Sequence, residues 1–439
     1  MAISSQQARR LIAKLNADDG SGNDGSGDDA AAGNIGELLA GLARPTAGSA
    51  PDFGPSLGDY GYSAESQEAR LGILREQSPA DLQALSHPQP PSDPEVLRGN
   101  IENFIGMTQV PTGVIGPVGI NGTAARGGFY VPLATTEGAL VASFNRGARA
   151  TRDAGGITAA CLTEAVQRAP SFKFRDLSEA GRFLTWVLTQ RERFGAIVSE
   201  TSRYAELLDV RVNLEGNQVI LVFEYHTGDA AGQNMVTVCT YAICQYILES
   251  TPVAPAVYFV ESNYSGDKKA TAVSFSRVRG KKVTAEVHLP EAVITGVLNT
   301  TAEKMTEYAR VAANGTAQTG ALGLQGHFAN GLAALYLACG QDVACVAESY
   351  VGITRMEPLP QNGLYVSVTL PSLTVGTVGG GTRLPTQATC LELIGCKGPG
   401  TARKFAEICG ATVLCGEISI VAALSSGEFT QAHAALGRR

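Results

Sequence analysis

From residue 171 to residue 260 the hydrophobic pattern changes period in an order that few folds accommodate. Ser171-Phe-Lys-Phe174 reads as a short strand, and Asp176-Leu-Ser-Glu179 is a capping box opening a helix through Phe183, Trp186, Val187 and Leu188. Residues 208–214 alternate with period two, turn at Glu215-Gly216-Asn217 and return as a strand over 219–223. A second helix over about 234–249 and an apolar strand over 256–260 close the unit. The order β-α-β-β-α-β is the split βαβ, or ferredoxin-like, arrangement.

Two loops of this unit carry chemistry. Gly228-Asp-Ala-Ala-Gly-Gln-Asn234 leads from the third strand into the second helix, and small residues at a helix N-terminus leave N–H groups free for an anion. It is not the G-x-G-x-x-G of a doubly wound sheet, and taken alone it is a common turn. Glu261-Ser-Asn-Tyr-Ser-Gly-Asp-Lys-Lys269 leaves the last strand. Adjacent lysines preceded by aspartate suit binding of a carboxylate or phosphate, or stabilisation of an oxyanion by an ammonium. As an isolated match, a solvated basic turn is the ordinary reading.

The flanking chain frames that unit. Residues 17–55 are rich in Gly, Asp, Ser, Ala and Pro, so a disordered or linking segment is expected there. A helix over 64–77 and a proline-rich connector holding His87 follow, and this histidine reads as a linker residue. Beyond residue 101, strands are expected over 110–119 and 129–133. A helix capped by a threonine of Ala134-Thr-Thr-Glu-Gly138 should then run to Gly155-Gly156. Arg146, Arg149 and Arg152 recur every three residues, as a solvated face or as a phosphate-binding stripe. After residue 269 come a strand pair around 279–282, a helix over about 291–313 and an apolar helix over 327–339 ending in Gly340-Gln-Asp342. An aspartate at a helix C-terminus opposes the dipole, a local inconsistency that often marks a site. A strand over 364–370 runs into Gly376-Thr-Val-Gly-Gly-Gly381, and helices over about 401–409, 411–424 and 429–436 end the chain, the last with His433.

The net charge of -7 disfavours a nucleic-acid surface. No run of about 18 apolar residues is evident, and the first residues lack the apolar segment of a secretory signal. A soluble, cytoplasmic protein without a membrane span is therefore expected. The nine cysteines include no C-x-x-C pair and no Cys/His cluster, so they read as buried thiols, with neither zinc nor disulfides.

Together these segments resemble the catalytic portion of class I 3-hydroxy-3-methylglutaryl-CoA (HMG-CoA) reductases over residues 101–433. The motifs are Glu102-Asn-Phe-Ile-Gly106, Ala134-Thr-Thr-Glu-Gly138, Ser143-Phe-Asn-Arg146, Gly228-Asp229 through Met235, Asn263-Tyr264 with Asp267-Lys-Lys269, Gly340-Gln-Asp342 and Gly376-Thr-Val-Gly-Gly-Gly381, in one order. The resemblance implies an α+β fold, a large helical substrate-binding domain with an inserted ferredoxin-like nucleotide-binding domain. The expected boundaries are 1–55 (low complexity), 56–105 (small helical, dimerising), 106–169 and 261–439 (large domain) and 170–260 (inserted domain). It further implies an acyl-CoA thioester reduced to an alcohol by NADPH, no metal, and a homodimer or homotetramer with shared active sites. A relative acting on a modified 3-hydroxyacyl-CoA, or a silent CoA- or nucleotide-binding homologue, is the alternative.

By the same resemblance Lys268 stabilises the oxyanion, Glu137 donates a proton from a buried setting, Asp342 links the two, and His433 protonates the leaving thiolate. Arg168, Glu261, Asn263, Asp267, Lys269, Arg310, His327 and Asn330 fall at substrate positions, and Ser143, Asn145, Arg146 and Arg149 at the CoA side. Ser202, Arg203 and Tyr204 match the segment gripping the 2′-phosphate of NADPH, with Asp229, Gly232, Asn234, Met235, Gly379 and Gly380 along the cofactor. Glu261 departs from the family's usual serine and would repel a substrate carboxylate unless paired or protonated; Arg310, in place of a lysine, is its expected partner. Met107 replaces a tyrosine over the coenzyme, Ala231 and Gln233 replace methionines, and His226 replaces an arginine.

Overall fold

The computed structural model describes residues 41–42, 51–58, 61–91 and 93–427. Most of the expected low-complexity segment, the 429–436 helix and His433 lie outside the described residues. Helix α1 (Ala64–Gln77) starts where Ser63 accepts a hydrogen bond from the Ser66 N–H. Strands β1 (Thr112–Gly122) and β2 (Arg126–Ala134) form an antiparallel pair with a bulge between Ile115 and Val118. Helix α2 (Leu140–Asp153) begins after Ala139 at φ 66° without a side-chain cap. The expected threonine cap is absent there because Thr135 Oγ1 instead accepts from the Glu137 N–H, at 3.0 Å.

Strand β3 (Ile157–Arg168) is an alanine-rich segment with no strand signature; burial between neighbours makes it one. The inserted unit follows as β4 (Ser171–Lys173), α3 (Leu177–Val187), α4 (Arg191–Thr201), β5 (Glu206–Glu215), β6 (Gln218–His226), α5 (Gln233–Ser250) and β7 (Val257–Phe259). Its strands lie in the order β7-β4-β6-β5, every pair antiparallel. Asp176 caps α3 through the Glu179 N–H at 2.9 Å, as the capping box predicts. Phe172, Phe174, Phe183, Phe194 and Phe223 fill a core of its own.

The chain then returns through β8 (Gly280–Leu289), a single strand between β3 and the later strand Leu364–Leu373 rather than a local pair. The expected 291–313 helix is broken: a short turn of helix, Glu291–Gly296, is followed by α6 (Ala302–Thr319), with Asn299 at φ 54° between and Thr301 capping the restart. Next are α7 (Phe328–Ala338), β9 (Ile353–Pro358), β10 (Leu364–Leu373), α8 (Pro385–Leu393) and α9 (Ala402–Ser426). Ten strands join in one sheet, β7-β4-β6-β3-β8-β10-β9, with β1 on β3 and β5 on β6.

Helix α9 runs unbroken through Gly410, where two helices were expected. A Cβ at Gly410 would lie 2.7 Å from Val283 Cγ1, so this glycine is there for contact with β8 rather than to end a helix. The helix is long and apolar enough to cross a membrane, yet 83% of that stretch is buried inside the fold. It is the axis of the large core, with Phe405, Ile408, Leu414 and Ile418 fully buried. Helix α2 crosses it closely: a Cβ at Gly147 would come 1.9 Å from the Cys415 carbonyl. All nine cysteines are buried thiols.

Candidate active site

The loop after β7 reaches the surface where the two cores meet. Lys268 adopts φ 53°, a strained value for a residue with a side chain, and its Nζ lies 2.8 Å from Asp342 Oδ2. The hydrogen bond from the ammonium to Asp342 raises the lysine's pKa above its ordinary value. Asp342 also accepts from the Ala344 N–H at 3.0 Å, starting a short 3-10 turn rather than simply ending α7. That resolves the apparent conflict with the dipole.

Asp267 sits between two buried guanidiniums, 3.1 Å from Arg168 Nη1 and 2.6 Å from Arg279 Nη2. Burial pushes its pKa up, but Arg279 and then Arg168 outweigh that and hold it below the usual carboxylate range. Arg279 also donates to Glu348, to the Gln167 carbonyl at 2.9 Å and to Gln233 Oε1 at 2.6 Å. Burial raises the Glu348 pKa against the opposing pull of Arg279. Glu261 lies 3.3 Å from Arg168 Nη1 and accepts from the Ala169 N–H. Arg310 is therefore not its partner: it is exposed on α6, 3.0 Å from Glu307. Lys269 is exposed, its ammonium donating to the Asp267 carbonyl at 3.0 Å, and Asn263 is exposed at φ 64°.

Glu137 is exposed in the single chain rather than buried, and its carboxylate accepts from Asn330 Nδ2 at 2.8 Å, so Asn330 rather than Asp342 holds it. His327 stacks on Phe144 with centroids 5.3 Å apart, and its Nδ1 lies 3.1 Å from Glu417 on α9. Glu417 is almost wholly buried, yet accepts from the Gly326 and His327 N–H groups at 2.8 and 2.7 Å and from Thr354 Oγ1 at 2.6 Å. Burial pushes its pKa up, but the His327 bonds, Thr354 and the backbone donors more than offset that and lower it.

The arginine stripe divides. Arg146 turns inward, donating to Ser419 Oγ at 3.0 Å and its carbonyl at 2.7 Å, with Ser143 on the same hydroxyl. Asn145 accepts from the Gly116 N–H at 2.9 Å. Arg149 stays exposed, 3.6 Å from Asp153.

Around α5 the glycine loops converge. Gly232 precedes the helix at φ 79°, and a Cβ there would lie 2.5 Å from Thr227. Gly376 packs on Ala231, Ala230 bridges Val378, and a Cβ at Gly340 would lie 2.3 Å from the Gly381 carbonyl. Gly379 and Gly380 face open space, and Asn234 is exposed with Met235 half-buried behind it. Asp229 has a structural role as well: both oxygens cap α9, accepting from the Gly400 and Ala402 N–H groups at 2.8 and 2.9 Å. Ser202 accepts from the Tyr204 and Ala205 N–H groups, leaving Arg203 exposed and Tyr204 70% exposed. Among the described residues no group of His, Cys, Asp and Glu could hold a metal ion.

Arg279, Glu348 and Glu417 also belong to these networks, although no sequence motif points to them. Glu417 had a readable signal, a charge inside a helix apolar on every face, which must find buried partners.

The family profile described as hydroxymethylglutaryl-coenzyme A reductase matches residues 66–438. The chain is 41% identical over 347 residues to 3-hydroxy-3-methylglutaryl-coenzyme A reductase of Methanocaldococcus jannaschii, covering 78% of this chain and 85% of that one. It is 42% identical to that of Haloferax volcanii (84% and 92% covered) and 44% to that of Aeropyrum pernix (78% and 83%). In three dimensions it resembles the class II enzyme of Streptococcus pneumoniae bound to NADPH, with a TM-score of 0.64 and 20% identity over 84% of this chain and 87% of that one. Sequence and fold agree, and the chain belongs to the hydroxymethylglutaryl-coenzyme A reductase family.

Proposed function

We propose that this chain is an NADPH-dependent reductase of class I type that converts HMG-CoA to mevalonate and free coenzyme A. Identity of 41–44% to the three archaeal relatives above, against 20% to the class II structure, supports the class. The observation that carries the chemistry is Lys268, an ammonium fixed by Asp342, whose neighbours Gly340 and Gln341 pack on the Gly376–Gly381 loop. Such a group suits charge developing on a carbonyl oxygen.

The overall change is one thioester, two NADPH and two protons giving one alcohol, one thiol and two NADP. The reduced nicotinamide supplies hydride when bound. The chain's residues handle charge and protons. Lys268 donates to the carbonyl oxygen as it becomes an oxyanion, and Asp342 keeps that lysine charged and oriented. Glu137, held by Asn330, delivers a proton to the oxygen, and His433 protonates the departing thiolate. Arg168, Lys269 and Asn263 hold the acyl end, with Asp267 as their brace. Arg149 is the arginine of the stripe free to meet CoA phosphates.

The unit over 170–260 takes the nucleotide. Its residues fit a phosphorylated dinucleotide, with a helix N-terminus opened by Gly232 and exposed Arg203 and Asn234, and the large domain adds the open face of Gly379 and Gly380. A homodimer is supported by the segment around Ile105 and Met107, whose apolar side chains stand in solvent. The apolar helix α9, folded into the interior, supports a soluble catalytic chain.

A spectrophotometric assay of NADPH oxidation with HMG-CoA tests the reading. The parent turns over, and Lys268→Ala loses at least about a hundredfold in kcat while still binding NADPH. Absence of thioester-dependent oxidation in the parent removes the proposal.

A further inference from the structure

Gln233 opens α5 directly after the left-handed Gly232, and its side-chain oxygen accepts from Arg279 Nη2 at 2.6 Å. A guanidinium can only donate, so the amide oxygen faces it and the Nε2 group is left buried without a partner. An apolar side chain of the same length would avoid that cost, so what the oxygen holds is the reason for an amide here. The same Arg279 nitrogen donates to Asp267 Oδ1, also at 2.6 Å. The other nitrogens of the fork are fixed as well, Nε on Glu348 and Nη1 on the Gln167 carbonyl at 2.9 Å. The fork is planar and rigid, so losing the acceptor on one N–H of Nη2 changes where the other points. Arg168 repeats the link, donating to the Gln233 carbonyl from Nη2 and to Asp267 Oδ2 from Nη1, both at 3.1 Å. Two buried arginines therefore run from the first residue of α5 to Asp267, and Asp267 precedes Lys268 with its φ of 53°. Lys268 is faced by Asp342 and the Cys345 thiol from the turn after α7, and by Asp267 from its own loop, where Lys269 follows it.

We propose that Gln233 is a positioning residue for the reduction: by holding Arg279 it sets Asp267, and through Asp267 the placement of Lys268 against Asp342. The start of the nucleotide helix and the ammonium that meets the carbonyl are then one assembly. In this role Gln233 touches no reacting atom, since its oxygen is spent on Arg279. This rests on the reading above that Lys268 serves the carbonyl oxygen.

Gln233→Met keeps the unbranched shape and removes the acceptor. In the full chain, with saturating HMG-CoA and NADPH, kcat is expected to fall about tenfold. The alkaline limb of the kcat profile moves toward lower pH, because a loosened Lys268–Asp342 pair gives up its proton more readily. Gln233→Glu, which keeps an acceptor for Arg279, stays near the parent in both respects. Arg279→Lys keeps the charge without the fork and reproduces both changes, and adding Gln233→Met to it lowers kcat little further. A Gln233→Met variant with the parent's kcat and limb, or with an effect confined to the KM for NADPH, overturns this inference alone. So does a Gln233→Glu variant as impaired as Gln233→Met. A parent without thioester-dependent NADPH oxidation overturns the functional reading as well.

Discussion

Glu417→Gln is the sharpest test of how the large core positions the site. The carboxylate accepts from two backbone N–H groups at the start of α7, from Thr354 Oγ1 and from His327 Nδ1. Glutamine keeps one acceptor oxygen but sets an NH2 group against donors. At least one backbone donor and one side-chain donor then lose their partner in a dry setting. Each such loss costs about 1–3 kcal/mol, and replacing a charged acceptor weakens the remaining bonds by about half. A destabilisation of about 3–5 kcal/mol follows, measurable by urea unfolding monitored by circular dichroism. The pH dependence has a definite sign. The folded pKa is depressed, so this carboxylate's contribution is present above its unfolded value of about 4.3 and fades as pH falls through the lower folded value. The variant lacks that term, so its stability falls less steeply on acidification below about pH 4.5. A loss under about 1 kcal/mol, with an acid profile parallel to the parent's, refutes the account of Glu417 as an ionised cap.

Two further outcomes follow from the same geometry. Asp342 raises the Lys268 pKa, so the ammonium persists to higher pH in the parent; Asp342→Asn shifts the alkaline limb of the kcat profile toward lower pH, and an unmoved limb removes the pair from the mechanism. Gly147→Ala places a Cβ 1.9 Å from the Cys415 carbonyl and forces α2 off α9, with an expected loss of about 1–3 kcal/mol in unfolding free energy; a neutral effect shows that the two helices are not locked together.

The inserted unit was readable because its signals are local. Alternation in β5 and β6 and the capping box at Asp176 are complete within a few residues. The loop around Lys268 was readable for the same reason, since a strand runs into turn formers and charge. What failed depends on partners distant in sequence. Strand β3 is a strand because β8 and β6 flank it, although its alanines carry no strand preference. Glycine at 410 looked like a break because the contact with Val283 lies far back in the chain. The capping role of Asp229 was not legible because the helix it caps begins at Ala402. The family resemblance pairs Glu261 with Arg310, whereas β3 supplies the guanidinium that meets it.

One junction reaches further than its size suggests. Strands β3 and β4 are a single run bent at Ala169-Pro170, and β6 pairs with both halves. The inserted unit is thus welded to the main sheet along a short seam, Val166 on Tyr225, Gln167 on Glu224 and Arg168 on Phe223. Arg168 is the last rung of that seam, and its guanidinium holds Asp267 and Glu261 on the far loop. Asp229 on α9 and Ala230 beside Val378 tie the unit down a second time. The inserted unit therefore cannot shift against the main sheet without disturbing the loop that carries Lys268.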